Sequence, residues 1–326
     1  MKLVVFSICQ NEGKTIGELL DRIPKRIEGI DEIVTMVVDD GSTDDTVKIA
    51  KEKGAEVYSN LSQKRLAYSF QYAVDKVLKM GADVAVNIDG DLQFAPEEIP
   101  LLVKPILDGK ADFVAGNRFV DPQNQQIRRP EFMSKGKYWG NRIGAFVIGS
   151  LSKKKFSDVT CGFRAYNRDA LLHMNINNKF TYTQEAFQLL ASKQLNIRQV
   201  PISIKYFEGR KSRVVSSIFS FISLSAINIV RVFRDFAPLR FFGILGLIPF
   251  LVGLGCVIFL GMHWLNTGDF SPYKFVGFTG LYLITLAIIT WLFGTLSDIL
   301  GRIINNQEKT LYISKKIYYS KFKKKE

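Results

Sequence analysis

Two carboxylates one residue apart close an apolar run in Val84-Ala85-Val86-Asn87-Ile88-Asp89-Gly90-Asp91-Leu92-Gln93. On an extended or turned segment, alternate carboxylates converge on one divalent cation, and hard oxygen ligands suit Mg²⁺ or Mn²⁺. Gly90 lets a ligand approach the backbone, and Gln93 can add a carbonyl oxygen. Mg²⁺ keeps few protein ligands and completes its shell with substrate phosphates. Asp-Gly-Asp also occurs in plain surface turns, but its position after an apolar strand favours a site. A second acidic pair, Asp39-Asp40, follows Val37-Val38 and opens the turn Gly41-Ser42-Thr43-Asp44. An acid there can accept from a ribose or a base N–H. The same turn can instead N-cap the helix starting near Thr46, with Asp44 or Asp45 as the cap. Candidate anion clamps are Lys64-Arg65, Arg118, Arg128-Arg129 and Arg210-Lys211-Ser212-Arg213, because arginine grips phosphate bidentately and lysine acts as a point charge. A lone Arg118 also fits a surface or ion-paired arginine.

The elements that must carry these groups follow from periodicity. Lys2 to Ile8, Ile33 to Val38, Val84 to Ile88 and Phe113 to Ala115 read as buried strands. Thr15 to Arg26, Thr46 to Lys53, Arg65 to Met80 and Pro96 to Leu107 read as helices between them. This alternation predicts an α/β domain with a mostly parallel sheet over residues 1–212. Its ligands belong beyond the carboxyl ends of the strands, where both acidic pairs fall.

Residues 241–264 and 275–297 carry no formal charge, and each is long enough to cross a hydrocarbon core. Turn formers Asn266, Gly268, Asp269 and Pro272 lie between them, so the pair predicts a transmembrane hairpin over 241–298; two buried core helices are the alternative. Arg231, Arg234 and Arg240 precede the first span, Arg302 and Lys309 follow the second, and the linker holds only Lys274. Positive-inside bias then puts both termini, and the soluble domain, in the cytoplasm at the cell membrane. Residues 213–240 read as an amphipathic juxtamembrane helix suited to the interface, or as an ordinary helix packed on the soluble domain. The tail 299–326 is basic, with seven lysines and one glutamate from Lys309 on. It suits anionic head groups, a solvated tail, or nucleic acid, for which no motif accompanies it.

Forty-four Lys and Arg against 31 Asp and Glu give +13, which favours polyanionic partners. Three cysteines and two histidines exclude a disulfide framework and a His- or Cys-rich metal site. The first six residues hold too short an apolar run for a signal peptide. G-x-G-x-x-G, the P-loop and G-x-S-x-G are all absent.

Taken in order, Asn11-Glu12, Val38-Asp39-Asp40-Gly41-Ser42-Thr43, Asp89-Gly90-Asp91-Leu92-Gln93, Gly116-Asn117-Arg118-Phe119, Cys161-Gly162-Phe163-Arg164-Ala165-Tyr166 and Arg210-Lys211-Ser212-Arg213 resemble the polyprenyl-phosphate glycosyltransferases of glycosyltransferase family 2, the dolichol-phosphate mannosyltransferase-like enzymes. The resemblance covers residues 1 to about 240, and the hairpin is similar to the anchor many members carry. It implies a GT-A fold and inverting transfer from a nucleotide sugar, GDP-mannose or a UDP-hexose, to dolichyl or undecaprenyl phosphate. It implies that Glu12, Asp39 and Asp40 hold the nucleoside, and that Asp89, Asp91 and Gln93, with Gly90, hold a Mg²⁺ or Mn²⁺ ion and the donor diphosphate. Arg118 would lie near the donor phosphates. Ser212 and Arg213, with Arg210, match the region of the lipid phosphate, and Glu185 falls at an acidic position facing the acceptor, so that Asp91 and Glu185 are the implied catalytic carboxylates. Two departures bear on the donor pocket: Ile8-Cys9-Gln10 replaces the usual Pro-x-Tyr, and Lys64-Arg65-Leu66-Ala67-Tyr68 replaces a Gly-rich stretch. The implied partners are a nucleotide sugar, a polyprenyl phosphate and the membrane, not nucleic acid; homo-oligomerisation is left open. Competing functions are a glycolipid transporter or flippase component, a non-catalytic nucleotide-sugar-binding membrane protein and a polysaccharide synthase. Spans without internal charge make a poor translocation path.

Overall fold

The computed structural model describes residues 1–60, 62–152, 154–176, 182–206, 230–231, 233–234 and 237–322. It divides into two compact units, 1–222 with 311–326, and 223–310. In the first unit the strands are β1 (Lys2–Cys9), β2 (Glu32–Asp39), β3 (Glu56–Ser59), β4 (Val84–Asn87), β5 (Phe113–Asn117), β6 (Arg164–Asn167) and β7 (Ile197–Pro201). They form one sheet in the order β3-β2-β1-β4-β6-β5-β7. Neighbours are parallel except β6, which runs antiparallel to β4 and β5. The helices are α1 (Ile16–Arg22), α2 (Thr46–Glu52), α3 (Leu66–Lys79), α4 (Ile99–Leu107), α5 (Lys135–Leu151), α6 (Arg168–His173) and α7 (Thr183–Ser192).

Successive strand residues point to opposite faces, and both faces are covered. Val4, Phe6, Met36, Val38 and Phe113 pack with Phe70, Val74 and Val77 of α3, Leu171 of α6 and Phe187 of α7. Leu3, Val5, Val37, Val86 and Val114 pack with Ile16 and Leu19 of α1 and Leu102 and Val103 of α4. Burial on both sides is why these strands read as continuous apolar runs. The expected strands and helices all form, within a few residues of their predicted ends.

In the second unit, α8 (Pro238–Thr267) and α9 (Lys274–Ser320; its last residues belong to the first unit) contain the two expected spans. Their most apolar windows have mean hydropathies of 2.5 and 2.0, with only 11% and 17% of those windows buried. They pack through small residues at seven-residue spacing. A Cβ on Gly253 would lie 2.7 Å from the Gly280 carbonyl, and one on Gly246 would lie 3.2 Å from that of Ala287. Such small-residue seams let membrane helices approach closely. The expected juxtamembrane helix over 213–240 lies largely outside the described residues.

The tail departs from expectation. It is helical to Ser320, and from Leu311 it belongs with the soluble unit. The Tyr312 hydroxyl donates to Asp169 Oδ1 at 2.6 Å, and its ring stacks on His173 at 4.2 Å. Lys315 Nζ donates to the Met174 carbonyl at 2.6 Å. Tyr319 is buried in the α3–α6 core and donates to Asp75 Oδ1 at 3.2 Å. A lipid-seeking or solvated tail is therefore corrected for this segment: its aromatic face is used in the core. A different apolar surface is exposed, Trp139, Ile143 and Phe146 along one side of α5.

Candidate active site

The carboxyl ends of β2, β1 and β4 lie side by side, with Cys9 opposite Asp39 and Phe6 opposite Asn87. The loops that follow are laced together. Asn11 takes φ 54°, its amide N–H donates to Ser42 Oγ at 2.8 Å, and its Oδ1 accepts from the Thr43 N–H at 2.8 Å. The Glu12 N–H donates to Thr46 Oγ1 at 2.9 Å. Asp44 accepts from Gly13 N–H and Thr46 N–H, so it joins the start of α2 to the β1 loop, while the N-cap residue itself is Asp45, without a side-chain cap bond.

Glu12 and the Asp-Gly-Asp loop meet through Thr15, whose hydroxyl reaches the Gly90 carbonyl at 2.7 Å and Glu12 Oε2 at 3.3 Å. Gly90 is required there, since a Cβ would fall 2.6 Å from Cys9 Sγ. Asp91 Oδ1 accepts from the Gln93 N–H at 3.1 Å, and the Gln93 carbonyl accepts from Lys205 N–H at 2.9 Å. Asp39 is buried, its Oδ1 accepting from the Ser42 N–H at 3.0 Å. Glu12, Asp39, Asp89, Gly90, Asp91 and Gln93 thus share one end of the sheet. Glu185 lies half-buried in the first turn of α7. Arg210, Ser212 and Arg213 lie outside the described residues; residues 204–205, just before them in sequence, pair with Phe94 and Gln93.

Two expected ligand groups are engaged within the protein. The Asp40 carboxylate accepts from Lys64 N–H (2.9 Å), Arg65 N–H (3.1 Å), Ser69 Oγ (2.7 Å) and Asn60 Nδ2 (3.0 Å). It ties the start of α3 to the end of β2. Arg118 forks onto Asp158: Nε to Oδ2 at 2.7 Å and Nη2 to Oδ1 at 2.8 Å, with Nη2 to Thr160 at 2.7 Å and Nη1 to Tyr206 at 3.1 Å. Asp158 is fully buried and Arg118 nearly so. Burial opposes the arginine's charge, but Asp158 more than offsets it and raises the pKa well above normal. Burial likewise opposes the Asp158 charge, and Arg118 holds that carboxyl below its usual range. The guanidinium is engaged in an internal pair with Asp158.

The Asp89–Asp91 pair has the opposite character. Burial, and then the neighbouring Asp91, push Asp89 up to about 7; Arg118 and Arg164 only partly counter this. Gly162 lies against the same carboxyl group, where a Cβ would stand 2.5 Å from Oδ2. Two mutually repelling carboxylates and an amide form a donor set that fits a hard divalent ion. Among the described residues no cluster of three His, Cys, Asp or Glu forms a ready-made cage. Burial pushes the Cys9 and Cys161 thiols up to about 12.

Sequence reasoning left unassigned several residues that shape this end of the sheet. Asn87 Nδ2 reaches the Gly162 carbonyl at 2.7 Å and Tyr182 Oη at 2.6 Å. Arg164 is wholly buried, with Nε on the Cys161 carbonyl at 2.6 Å and its guanidinium over Tyr182 and Phe187. Its presence inside the Cys161–Tyr166 motif was the one available signal.

The family model described as Glycosyl transferase family 2 matches residues 4–174. The UDP-N-acetylglucosamine–dolichyl-phosphate N-acetylglucosaminyltransferase of Methanococcus voltae is 28% identical over 241 residues, 68% of this chain and 92% of that relative. The undecaprenyl-phosphate 4-deoxy-4-formamido-L-arabinose transferase of Sodalis glossinidius is 24% identical over 328 residues, 94% of this chain and 90% of that relative. Among solved structures, glucosyl-3-phosphoglycerate synthase from Mycobacterium tuberculosis in complex with Mn²⁺, UDP and glucosyl-3-phosphoglycerate matches with a TM-score of 0.52 at 18% identity, covering 72% of this chain and 79% of that one. That likeness gives the fold, GT-A-like α/β.

Proposed function

The chain belongs to glycosyl transferase family 2, and from that premise we propose that this glycosyltransferase moves a sugar from a nucleotide sugar to a membrane polyprenyl phosphate, with inversion. The observation that carries the reading is the gathering of Glu12, Asp39, Asp89 and Asp91 at one end of the sheet, in a chain with two helices long and apolar enough to cross a bilayer. The named relatives act on dolichyl and undecaprenyl phosphates, which supports the lipid acceptor.

Glu12 and Asp39 bind the nucleoside in this reading. Asp89, Asp91 and Gln93 would hold a Mg²⁺ or Mn²⁺ ion, which when bound would supply positive charge to stabilise the departing diphosphate. The acceptor is a phosphate monoester with a second pKa of about 6, so it is mostly dianionic at neutral pH. One of its oxygens attacks the anomeric carbon as the bond to the diphosphate oxygen breaks on the opposite face, and no strong base is needed. The protein's work is to position two polyanions. Glu185 faces the acceptor, while Arg210, Ser212 and Arg213 receive its phosphate. The exposed Trp139, Ile143 and Phe146 of α5 suit the head-group layer, with both termini on the cytoplasmic side.

Full-length protein in detergent, incubated with Mn²⁺, a short polyprenyl phosphate and a panel of radiolabelled nucleotide sugars, should yield organic-extractable label from one donor. Label should depend on both metal and lipid. Asp91→Ala should abolish it with folding intact; unchanged turnover would reject the cation assignment.

A further inference from the structure

The polar bridge between β4 and α7 has no part in the roles assigned above. Asn87 is the last residue of β4, two before Asp89, and is buried. The Gly162 carbonyl can only accept, which fixes the Asn87 amide with Nδ2 toward it. The same Nδ2 meets Tyr182 Oη at 2.6 Å. Tyr182 is the N-cap residue of α7, and Glu185 lies in that helix's first turn. The Tyr182 ring is held flat on Phe70, centroids 3.8 Å apart and planes 5° apart, with the Arg164 guanidinium 5.5 Å from its centre. Gly162, the other end of the bridge, lies against the Asp89 carboxyl group.

We propose that Asn87 and Tyr182 are positioning residues that hold Glu185 in register with the Asp89–Asp91 pair. The proposal rests on the acceptor-side reading of Glu185. One amide thereby references both halves of the site to one strand: the cation half through Gly162, and the acceptor half through Tyr182. The two halves can be separated by mutation. Tyr182→Phe keeps the ring on Phe70 and leaves the Asn87–Gly162 bond intact, so only Glu185 loses its reference. Asn87→Ala removes both.

A misplacement of about 1 Å can cost on the order of 10²-fold in rate. Tyr182→Phe should therefore lower kcat by about tenfold or more while donor KM and the Mn²⁺ dissociation constant stay within about twofold. Asn87→Ala should lower kcat and weaken Mn²⁺ binding as well. Val77→Ala, a core truncation in α3 away from the bridge, should lower Tm without changing kcat. The assay uses the full chain, the donor identified by the screen above, and Mn²⁺ alone by electron paramagnetic resonance. If Tyr182→Phe behaves like Val77→Ala, losing Tm but keeping kcat, the bridge is only packing and the proposal is overturned. Glu185→Gln is measured alongside. If it loses turnover while Tyr182→Phe keeps it, the bridge alone fails. If Glu185→Gln turns over normally, the acceptor-side reading fails and takes the bridge with it.

Discussion

Removing the charge of Asp158 tests whether Arg118 is a structural cation or a phosphate clamp. Asp158→Asn keeps the shape and one acceptor oxygen but strands a guanidinium that is 7% exposed. Four side-chain hydrogen bonds of 2.7–3.1 Å converge on that guanidinium's partners, so it cannot swing to water without dismantling the loop around Thr160. Breaking one side of a buried pair costs about 3–5 kcal/mol. At about 2–4 °C per kcal/mol for a domain of this size, Tm should fall by roughly 6–20 °C. The double variant Arg118→Met/Asp158→Leu should recover most of that loss, because a buried pair replaced by apolar groups is often near neutral. The gap between wild type and Asp158→Asn has a pH signature. The depressed Asp158 carboxyl contributes fully above about pH 4, its unfolded value. The contribution is lost as pH falls through the lower folded value, so the gap should narrow only in acid. The measurement is fluorescence-detected unfolding of full-length protein in detergent, beside donor titration. A variant that melts within about 2 °C of wild type (well under the smallest expected shift) yet binds donor poorly would refute the pairing argument and return Arg118 to the donor.

Asp89 supplies a second pH effect of opposite sign. Its raised carboxyl stabilises the metal-free fold below about pH 4, and that contribution drains away as pH rises toward 7. Mn²⁺ must displace the same proton, so its affinity should fall about tenfold per pH unit below 7; a flat affinity would sink the assignment. Gly162→Ala places a Cβ 2.5 Å from Asp89 Oδ2, so Mn²⁺ should bind about tenfold or more weakly, with normal binding counting against the packing described. In the tail, Tyr319→Ala should destabilise by about 3 kcal/mol and Tyr312→Phe by about 1 kcal/mol, read by thermal unfolding; no shift in either would mean the tail is undocked in solution.

Much of the fold was legible because burial on both sheet faces writes itself as short apolar runs. The elements missed had no such mark. β6 opens with Arg164 and is antiparallel, so a buried charge stands where a strand pattern would show an apolar residue. β3 and β7 keep partly exposed residues, which dilutes their pattern. α5 carries Gly136, Gly140, Gly144 and Gly149, residues of low helix propensity that obscure the helix. The tail's lysines masked Tyr312 and Tyr319, whose partners Asp169 and Asp75 lie more than a hundred residues away.

The site itself shows why residue type alone misassigns charges. Asp39 and Asp40 are adjacent and chemically identical, yet alternation sends them to different sides. One stays at the strand ends beside Glu12, and the other turns back to collect the N–H groups that open α3. Arg118 and Arg164 both stand near Asp89, but the first is neutralised by Asp158 and the second is held among aromatic rings and carbonyls. Neither reaches in as a clamp, and together they leave the Asp89–Asp91 repulsion largely uncompensated. A fold that keeps two carboxylates in mutual repulsion, while satisfying its nearby arginines internally, leaves uncompensated negative charge at that end of the sheet, which is the charge the proposed divalent cation would neutralise.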